Sequence, residues 1–130
     1  RVWGWAKRRF EHPDAFFERF FVYNYCPLSF MEEGGRNRIP EKLPKAERTP
    51  LFAACDRALL RVLEQMQPRV VIGIGAFARK RLELAIRAAQ DRRLQEVTVQ
   101  QVLHPSPANP RANSGWEKIV EEQLTEMNLL

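Results

Sequence analysis

A short, uninterrupted apolar run at residues 70–75, Val-Val-Ile-Gly-Ile-Gly, limits the folds open to this chain more than any other segment. A strand of parallel sheet has this pattern when helices bury both of its faces. Apolar residues at helical spacing predict helices on either side, at about 49–67 and 77–94, and a further strand is predicted at 97–103. The alternation of strand and helix favours an α/β fold with a parallel sheet and right-handed crossovers.

The segments before and after this unit extend the same pattern. A helix is predicted at residues 2–10, a strand at 20–26, an irregular loop at 31–49 and a last helix at about 116–128. Thr49 and Pro50 are expected to begin the helix at 49–67, as N-cap and first helical residue. Three strands make a thin sheet for this architecture, so we expect the sheet to be incomplete at its N-terminal side.

Composition places the chain among globular proteins with one domain, residues 1–130. It has 45% hydrophobic and 28% charged residues, no apolar run long enough to span a bilayer and no apolar leader. The two cysteines form no C-x-x-C pair, so neither a zinc site nor a disulfide framework is expected, and a reducing cytoplasmic or nuclear compartment fits. The start at Arg1 without Met indicates a fragment or a processed chain.

The net charge of +5 and a pI near 9.7 favour polyanionic partners. Charge alone leaves nucleic-acid binding and ordinary solubility equally open.

Two polar residues fall at the carboxyl ends of predicted strands, where ligands of open α/β sheets bind. His104 follows the third strand and is able to donate a hydrogen bond to an oxygen that gains negative charge. Asn24, near the end of the first strand, carries an amide that matches a pyrimidine edge with N–H beside C=O. The alternatives are a surface histidine without a function and an asparagine that bonds the loop backbone.

Gly73 and Gly75 precede a basic helix and allow a phosphate to approach the helix N-terminus, or simply form a tight turn. A Cys26 nucleophile with His104 as its base is disfavoured, because Cys26 lies in an apolar strand without a charged neighbour.

The loop His-Pro-Ser-Pro-Ala-Asn-Pro-Arg-Ala-Asn-Ser-Gly-Trp at 104–116 is stiffened by three prolines. Ser106, Asn109 and Asn113 have side chains that bond either phosphates or their own turns. A rigid wedge of small residues is suited to filling the gap that an extruded base leaves in DNA. The alternative is a proline-rich connector.

Four stretches together resemble the uracil-DNA glycosylase superfamily, in particular its single-strand-selective monofunctional branch. They are Asn-Tyr-Cys-Pro-Leu-Ser-Phe at 24–30, Gly-Gly-Arg-Asn at 34–37, the strand at 70–75 and the loop at 104–116. The resemblance implies a three-layer α/β/α fold with a short, mostly parallel sheet, of which this chain is the C-terminal portion. It also implies removal of uracil and 5-hydroxymethyluracil-like bases from single- or double-stranded DNA, by a monomer, without metal or organic cofactor.

The resemblance also assigns roles to individual residues. Asn24 would read the flipped pyrimidine, and His104 would stabilise the departing uracil anion at O2. Gly73 and Gly75 would lie against a phosphate. The residues that would enter the duplex are Pro105, Ser106, Pro107, Ala108, Asn109, Pro110 and Arg111.

Two departures from the family pattern bear on activity. The Gly-Met-Asn-Pro-Gly-Pro-Phe-Gly-like run, which supplies a water-positioning asparagine and a base-stacking phenylalanine, does not occur in these 130 residues. Ala108 stands where relatives often carry a bulky or basic residue, so either weaker penetration of the duplex or a contribution from Arg111 is expected. Weak or absent activity is therefore expected from this chain alone. The alternatives are a noncatalytic basic DNA-binding module or regulatory fragment, and a small nucleotide-binding α/β protein.

Overall fold

The structure is a computed structural model and describes residues 1–130. The helices are α1 (Val2–Phe10), α2 (Pro13–Phe17), α3 (Lys45–Met66), α4 (Ala76–Ala88), α5 (Pro110–Asn113) and α6 (Trp116–Glu126). The strands are β1 (Phe30–Met31), β2 (Asn37–Arg38), β3 (Val70–Ile74) and β4 (Thr98–Val102), with 3₁₀ turns at Pro40–Lys42 and Arg92–Glu96. None of the helices combines the length and apolar character that crossing a bilayer requires.

The centre of the molecule is a parallel pair of strands. β3 and β4 run side by side with Val70 opposite Thr98 and Ile74 opposite Val102, and α4 lies in the crossover between them. β1 and β2 form a separate short antiparallel pair within the segment predicted as an irregular loop. The predicted parallel sheet is confirmed, with two strands rather than three.

Helices cover both faces of this parallel pair. Side chains alternate between faces along a strand, and β3 follows this rule. Val71 packs on one face with a cluster whose other buried members are Leu59, Leu63, Leu82, Ala85, Ile86 and Leu94. Ile72 and Ile74 pack on the opposite face with Trp5, Ala6, Phe16, Val102, Ala112, Trp116, Val120 and Leu124. The layers are helix, sheet and helix, so the α/β fold class is confirmed.

The predicted strand at residues 20–26 is wrong. Residues 21–28 make no backbone hydrogen bond to other backbone groups, and a strand exists only with a partner. Phe20 and Val22 pack in the cluster with Trp5, whereas Tyr25 packs in the cluster on the other face of the sheet. The aromatic run is therefore a link between the two cores.

The helix predicted at 49–67 begins four residues earlier, at Lys45, with Pro44 as its N-cap. Pro50 lies inside the helix, where its missing N–H removes one hydrogen bond without ending the helix. Thr49 is therefore not the N-cap.

The helix predicted at 77–94 ends at Ala88 instead. Asp91 then caps the 3₁₀ turn Arg92–Glu96 by accepting the N–H of Arg93 at 3.0 Å. Aspartate favours such capping positions over helix interiors, which explains the break.

Candidate base-recognition site

The carboxyl ends of β3 and β4 bring Gly75 and His104 together. The N–H of Gly75 donates to the carbonyl of Val102 at 2.9 Å, one step beyond the strand pairing. A Cβ placed on Gly75 would lie 3.0 Å from His104 Cβ and 3.2 Å from its Cδ2. Gly75 also has φ of +90°, a conformation that side-chain-bearing residues rarely adopt. The imidazole thus lies directly against a backbone position that requires glycine.

The hydrogen bond made by His104 defines which ring nitrogen is free. The N–H of Ser106 donates to His104 Nδ1 at 3.1 Å, and His104 is exposed. A nitrogen that accepts carries no proton, so the neutral imidazole has its proton on Nε2. His104 therefore presents an N–H donor to a ligand at the ends of the strands.

The polar side chains of the loop after β4 bond their own turns. Ser106 Oγ accepts the N–H of Ala108 at 3.2 Å, and Asn109 Oδ1 accepts the N–H of Arg111 at 3.1 Å. The amide of Asn113 donates to the carbonyl of Pro107 at 2.7 Å. Of the two uses predicted for these side chains, the structure shows the second, and the loop is ordered before any ligand arrives.

Trp116 and Arg1 make further contacts that hold the loop in place. The indole N–H of Trp116, which is buried, donates to the carbonyl of Leu103 at 2.7 Å. The guanidinium of Arg1 donates to the carbonyl of Ala112 at 2.9 Å and to Asn113 Oδ1 at 2.8 Å. The exposed positions of the predicted wedge are Pro107, Ala108, Pro110 and Arg111.

Gly73 serves the packing of α4 on the sheet. A Cβ at this position would lie 2.3 Å from the backbone N of Arg79, a distance no real contact allows. Gly73 and Gly75 both have a packing reason to be glycine, and the phosphate contact assigned to them stays a prediction.

Asn24 lies next to a residue that packs against the first turn of α4. Its side chain is exposed, and no hydrogen bond joins it to His104 or Gly75. Its neighbour Tyr25 packs edge-on against Phe77, with ring centroids 5.5 Å apart, and Phe77 follows Gly75 by two residues. Tyr25, the neighbour of Asn24, thus packs at the same end of α4 that lies near His104.

Sequence reasoning missed a half-buried polar cluster next to Asn24. The hydroxyl of Tyr25 lies 2.7 Å from Asp56 Oδ1, and Arg81 Nε donates to the same oxygen at 3.0 Å. A second N–H of Arg81 bonds Asp56 Oδ2. The signal in the sequence was an aromatic residue four positions before a charge on two successive helices, since Phe52 precedes Asp56 and Phe77 precedes Arg81.

The surroundings of Tyr25 keep its hydroxyl protonated. Burial raises the pKa of Tyr25 most, and the hydrogen bond and negative charge of Asp56 raise it further. The phenol is therefore a hydrogen-bond donor throughout the neutral range.

Cys26 of this segment is a neighbour of Cys55 on α3. Cys55 is buried and Cys26 is half-buried, and burial followed by the neighbouring Cys26 raises the pKa of the Cys55 thiol to about 11. No hydrogen bond links Cys26 to His104, and no group of three or more His, Cys, Asp or Glu side chains is arranged to hold a metal ion.

The basic helix α4 offers less free positive charge than its sequence indicates. Arg79 pairs with Glu83 at 2.9 Å, and Arg81 turns inward to Asp56. Lys80 and Arg87 have no acidic partner, and together with Gln101 they line an open groove beside α4.

The fold and the strand-end histidine define an α/β protein with a preordered loop after its last strand. Comparison with known proteins adds the family. A family model described as "Uracil DNA glycosylase superfamily" matches residues 2–124. The chain belongs to the uracil DNA glycosylase superfamily.

Curated relatives are similar over the whole chain. The single-strand selective monofunctional uracil DNA glycosylase of Bos taurus is 39% identical over 130 residues, which are 100% of this chain and 46% of that protein. The protein of the same description from Rattus norvegicus is 40% identical over 130 residues, 100% of this chain and 45% of that protein. This chain therefore spans slightly less than half the length of these relatives.

Proposed function

We propose that this chain supplies the base-reading and leaving-group side of a monofunctional uracil-DNA glycosylase that acts in base-excision repair. The observation that carries the proposal is the His104 imidazole, which lies close to Gly75 and accepts the N–H of Ser106 on Nδ1, so that Nε2 is the N–H of the neutral ring. Membership of the superfamily and the names of the relatives support the same reaction class.

In the proposed reaction the bond between C1′ of the deoxyribose and N1 of uracil breaks. The bonding electron pair leaves with the base, and the negative charge spreads onto O2 and O4. A water molecule adds to C1′, and the proton it releases neutralises the uracil anion. His104 donates a hydrogen bond to O2, where the charge is larger in the transition state than in the ground state, and so it lowers the barrier.

Recognition of the base is assigned to Asn24. Its amide pairs with the adjacent C=O and N–H of uracil, which cytosine does not present in the same order. The exposed position of Asn24 supports access to an extruded base. The same site would accept 5-hydroxymethyluracil if the pocket wall beside C5 is open.

The loop at residues 105–111 would fill the gap left in the duplex. Its self-bonded turns support this role, because a wedge ordered in advance loses little entropy on insertion. Extrusion costs a few kcal/mol and least in single strands, where no pairing is lost.

The test uses the complete protein encoded by the reading frame in which this chain lies, and single-turnover release of uracil from a single-stranded oligonucleotide. His104→Leu is expected to lower the rate by about 10²–10³-fold, the usual range for one donor to a developing anion. The matched control is His12→Leu, because His12 also precedes proline and accepts an N–H on Nδ1. The control should leave the rate unchanged.

Asn24→Ala is expected to lower the same rate by a similar factor. Unchanged rates in both His104→Leu and Asn24→Ala would overturn the site. Tight DNA binding with a steep salt dependence, but no base release by the complete wild-type protein, would favour a noncatalytic binding module instead.

A further inference from the structure

The segment that carries Asn24 lacks the support that secondary structure normally gives. Residues 21–28 form no backbone hydrogen bonds with other backbone groups. Asn24 itself is exposed and Val22 packs towards the opposite core. Whatever fixes the direction of the Asn24 amide must therefore act through neighbouring side chains.

Tyr25 is the strongest attachment of this segment. Its hydroxyl lies 2.7 Å from Asp56 Oδ1 and 3.2 Å from the carbonyl of Phe52. Its ring packs edge-on against Phe52 and Phe77, at centroid distances of 5.9 and 5.5 Å. One side chain thus joins the segment to α3 through its hydroxyl and to α4 through its ring.

Arg81 holds the acceptor in place. Its guanidinium makes two N–H bonds to the carboxylate of Asp56, and its side chain is only 15% exposed. The same guanidinium lies 5.5 Å from the centroid of the Tyr25 ring and 5.1 Å from that of Phe52. A two-pronged arginine contact of this kind fixes direction as well as distance.

The cluster also fixes Asn24 relative to His104. Phe77, against which Tyr25 packs, lies in the first turn of α4, and that helix starts immediately after Gly75. A Cβ placed on Gly75 would in turn lie 3.2 Å from Cδ2 of His104, so the ring lies close to Gly75. A continuous path of contacts therefore runs from the neighbour of Asn24 to the proposed leaving-group donor.

We propose that Tyr25, Asp56 and Arg81 form a positioning clamp, which sets the Asn24 amide at the distance from His104 that an extruded uracil requires. The clamp residues do not touch the base themselves. The inference rests on the proposed function, because it gives the clamp its role through Asn24.

The first test compares two tyrosines that flank Asn24. Tyr25→Phe keeps the ring and removes only the hydroxyl, whereas Tyr23→Phe alters a more exposed tyrosine whose hydroxyl bonds nothing in the chain. In the complete protein, Tyr25→Phe is expected to lower single-turnover uracil release about tenfold, since small displacements of positioning groups cost rate steeply. Tyr23→Phe should match the wild type. Equal rates in the two variants would overturn the clamp.

The second test separates positioning from general support of the fold. Tyr25→Phe is introduced into the Asn24→Ala protein, where the group to be positioned is already gone. The clamp predicts no further loss of rate in this background, because its effect passes through Asn24. A further tenfold loss in the double variant would assign Tyr25 a merely structural role.

Asp56→Asn provides an independent variant. It keeps one acceptor for Tyr25 but loses the charge that holds Arg81, and the rate should fall less than in Tyr25→Phe. A wild-type rate in Asp56→Asn would contradict the clamp.

The failure of the clamp differs from the failure of the proposed function. If Asn24→Ala and His104→Leu slow uracil release while Tyr25→Phe does not, the function stands and the clamp falls. If neither Asn24→Ala nor His104→Leu slows uracil release, the site assignment itself falls.

Discussion

Two histidines in this chain precede proline and make the same local hydrogen bond. His12 Nδ1 accepts the N–H of Asp14 at 3.4 Å, and His104 Nδ1 accepts the N–H of Ser106 at 3.1 Å. Both are exposed. The two histidines differ in their position in the fold. His12 is the N-cap of α2, whereas His104 lies close to Gly75 at the ends of the parallel strands.

This comparison separates what a local motif determines from what the sheet determines. The His-Pro-X turn places a backbone N–H at Nδ1 in both histidines, since its hydrogen bond spans only two residues, but His12 Nδ1 also lies 3.4 Å from Asp14 Oδ2. Only the sheet places one of the two donors where a ligand of an α/β protein binds. A histidine motif thus becomes a candidate site through its position in the fold.

The largest effect is expected from the glycine under His104. Gly75→Ala combines strain at φ +90° with a Cβ 3.0 Å from His104 Cβ. We expect a loss of stability of about 1–3 kcal/mol for the strained backbone and a fall in uracil release of at least about tenfold as the imidazole is displaced. Urea unfolding measures the loss of stability, and single-turnover uracil release measures the loss of rate.

The control for this change is Gly115→Ala. Gly115 has φ of +121° but nothing within 4 Å of a Cβ. It should lose stability and keep its rate per folded molecule. A full rate in Gly75→Ala would contradict the contact with His104.

The segment that carries Asn24 has no His-Pro turn. The alkylation rates of Cys26 and Cys55 test how closely this segment packs on α3. The pKa of Cys55 is raised to about 11, so little thiolate exists at pH 8, and its alkylation should accelerate as the pH rises towards 11. At pH 8 we expect Cys55 to react with iodoacetamide at least about tenfold more slowly than Cys26, because it is also buried. Peptide mass spectrometry follows each site. Equal rates would show that the segment at 24–26 does not cover α3.

A smaller effect is expected within the loop that follows His104. Asn109→Ala removes the side-chain cap of α5 and should cost about 1 kcal/mol of local stability. Asn109→Asp keeps an acceptor for the N–H of Arg111 and serves as the matched control. Amide hydrogen exchange of residues 111–113 should increase in the first variant only, and equal protection in both would argue against a self-ordered loop.

The smallest expected effect is a difference in the free energy of unfolding between alanine variants of the two histidines. His12→Ala removes the N-cap of α2 and should lower the free energy of unfolding by about 0.5–1 kcal/mol. His104 caps no helix, so His104→Ala should lower the free energy of unfolding by less. The reverse order in urea unfolding would mean that His104 serves the fold more than a ligand.

Local patterns predicted the parts of the fold that local forces decide. The apolar run at 70–74, the crossover helix and the strand at 98–102 were all visible, because a strand buried on both faces has a continuous apolar sequence. The aromatic run at 20–26 has the same appearance, but its side chains divide between two cores and no strand pairs with it. Pairing depends on distant residues, which no local pattern contains.

The candidate site was predictable to a similar degree. His104 and the stiff loop were found from the strand end and the prolines. The clamp at Tyr25 was not, because Asp56 and Arg81 are far apart in sequence and meet only when α3 and α4 pack together. The basic helix has less free charge than its sequence indicates, since Arg81 faces Asp56 of another helix and Arg79 pairs with Glu83 four residues along its own helix.

The central claim is that His104 is set in advance as an Nε2–H donor. Long-range ¹H–¹⁵N correlation spectra of the protein labelled at histidine, recorded at a pH where the imidazoles are neutral, report the tautomer of each ring. The structure predicts the Nε2–H form for His104. The cross-peaks assigned to His104 should disappear in His104→Leu and remain in His12→Leu. A dominant Nδ1–H form of His104 would contradict the account.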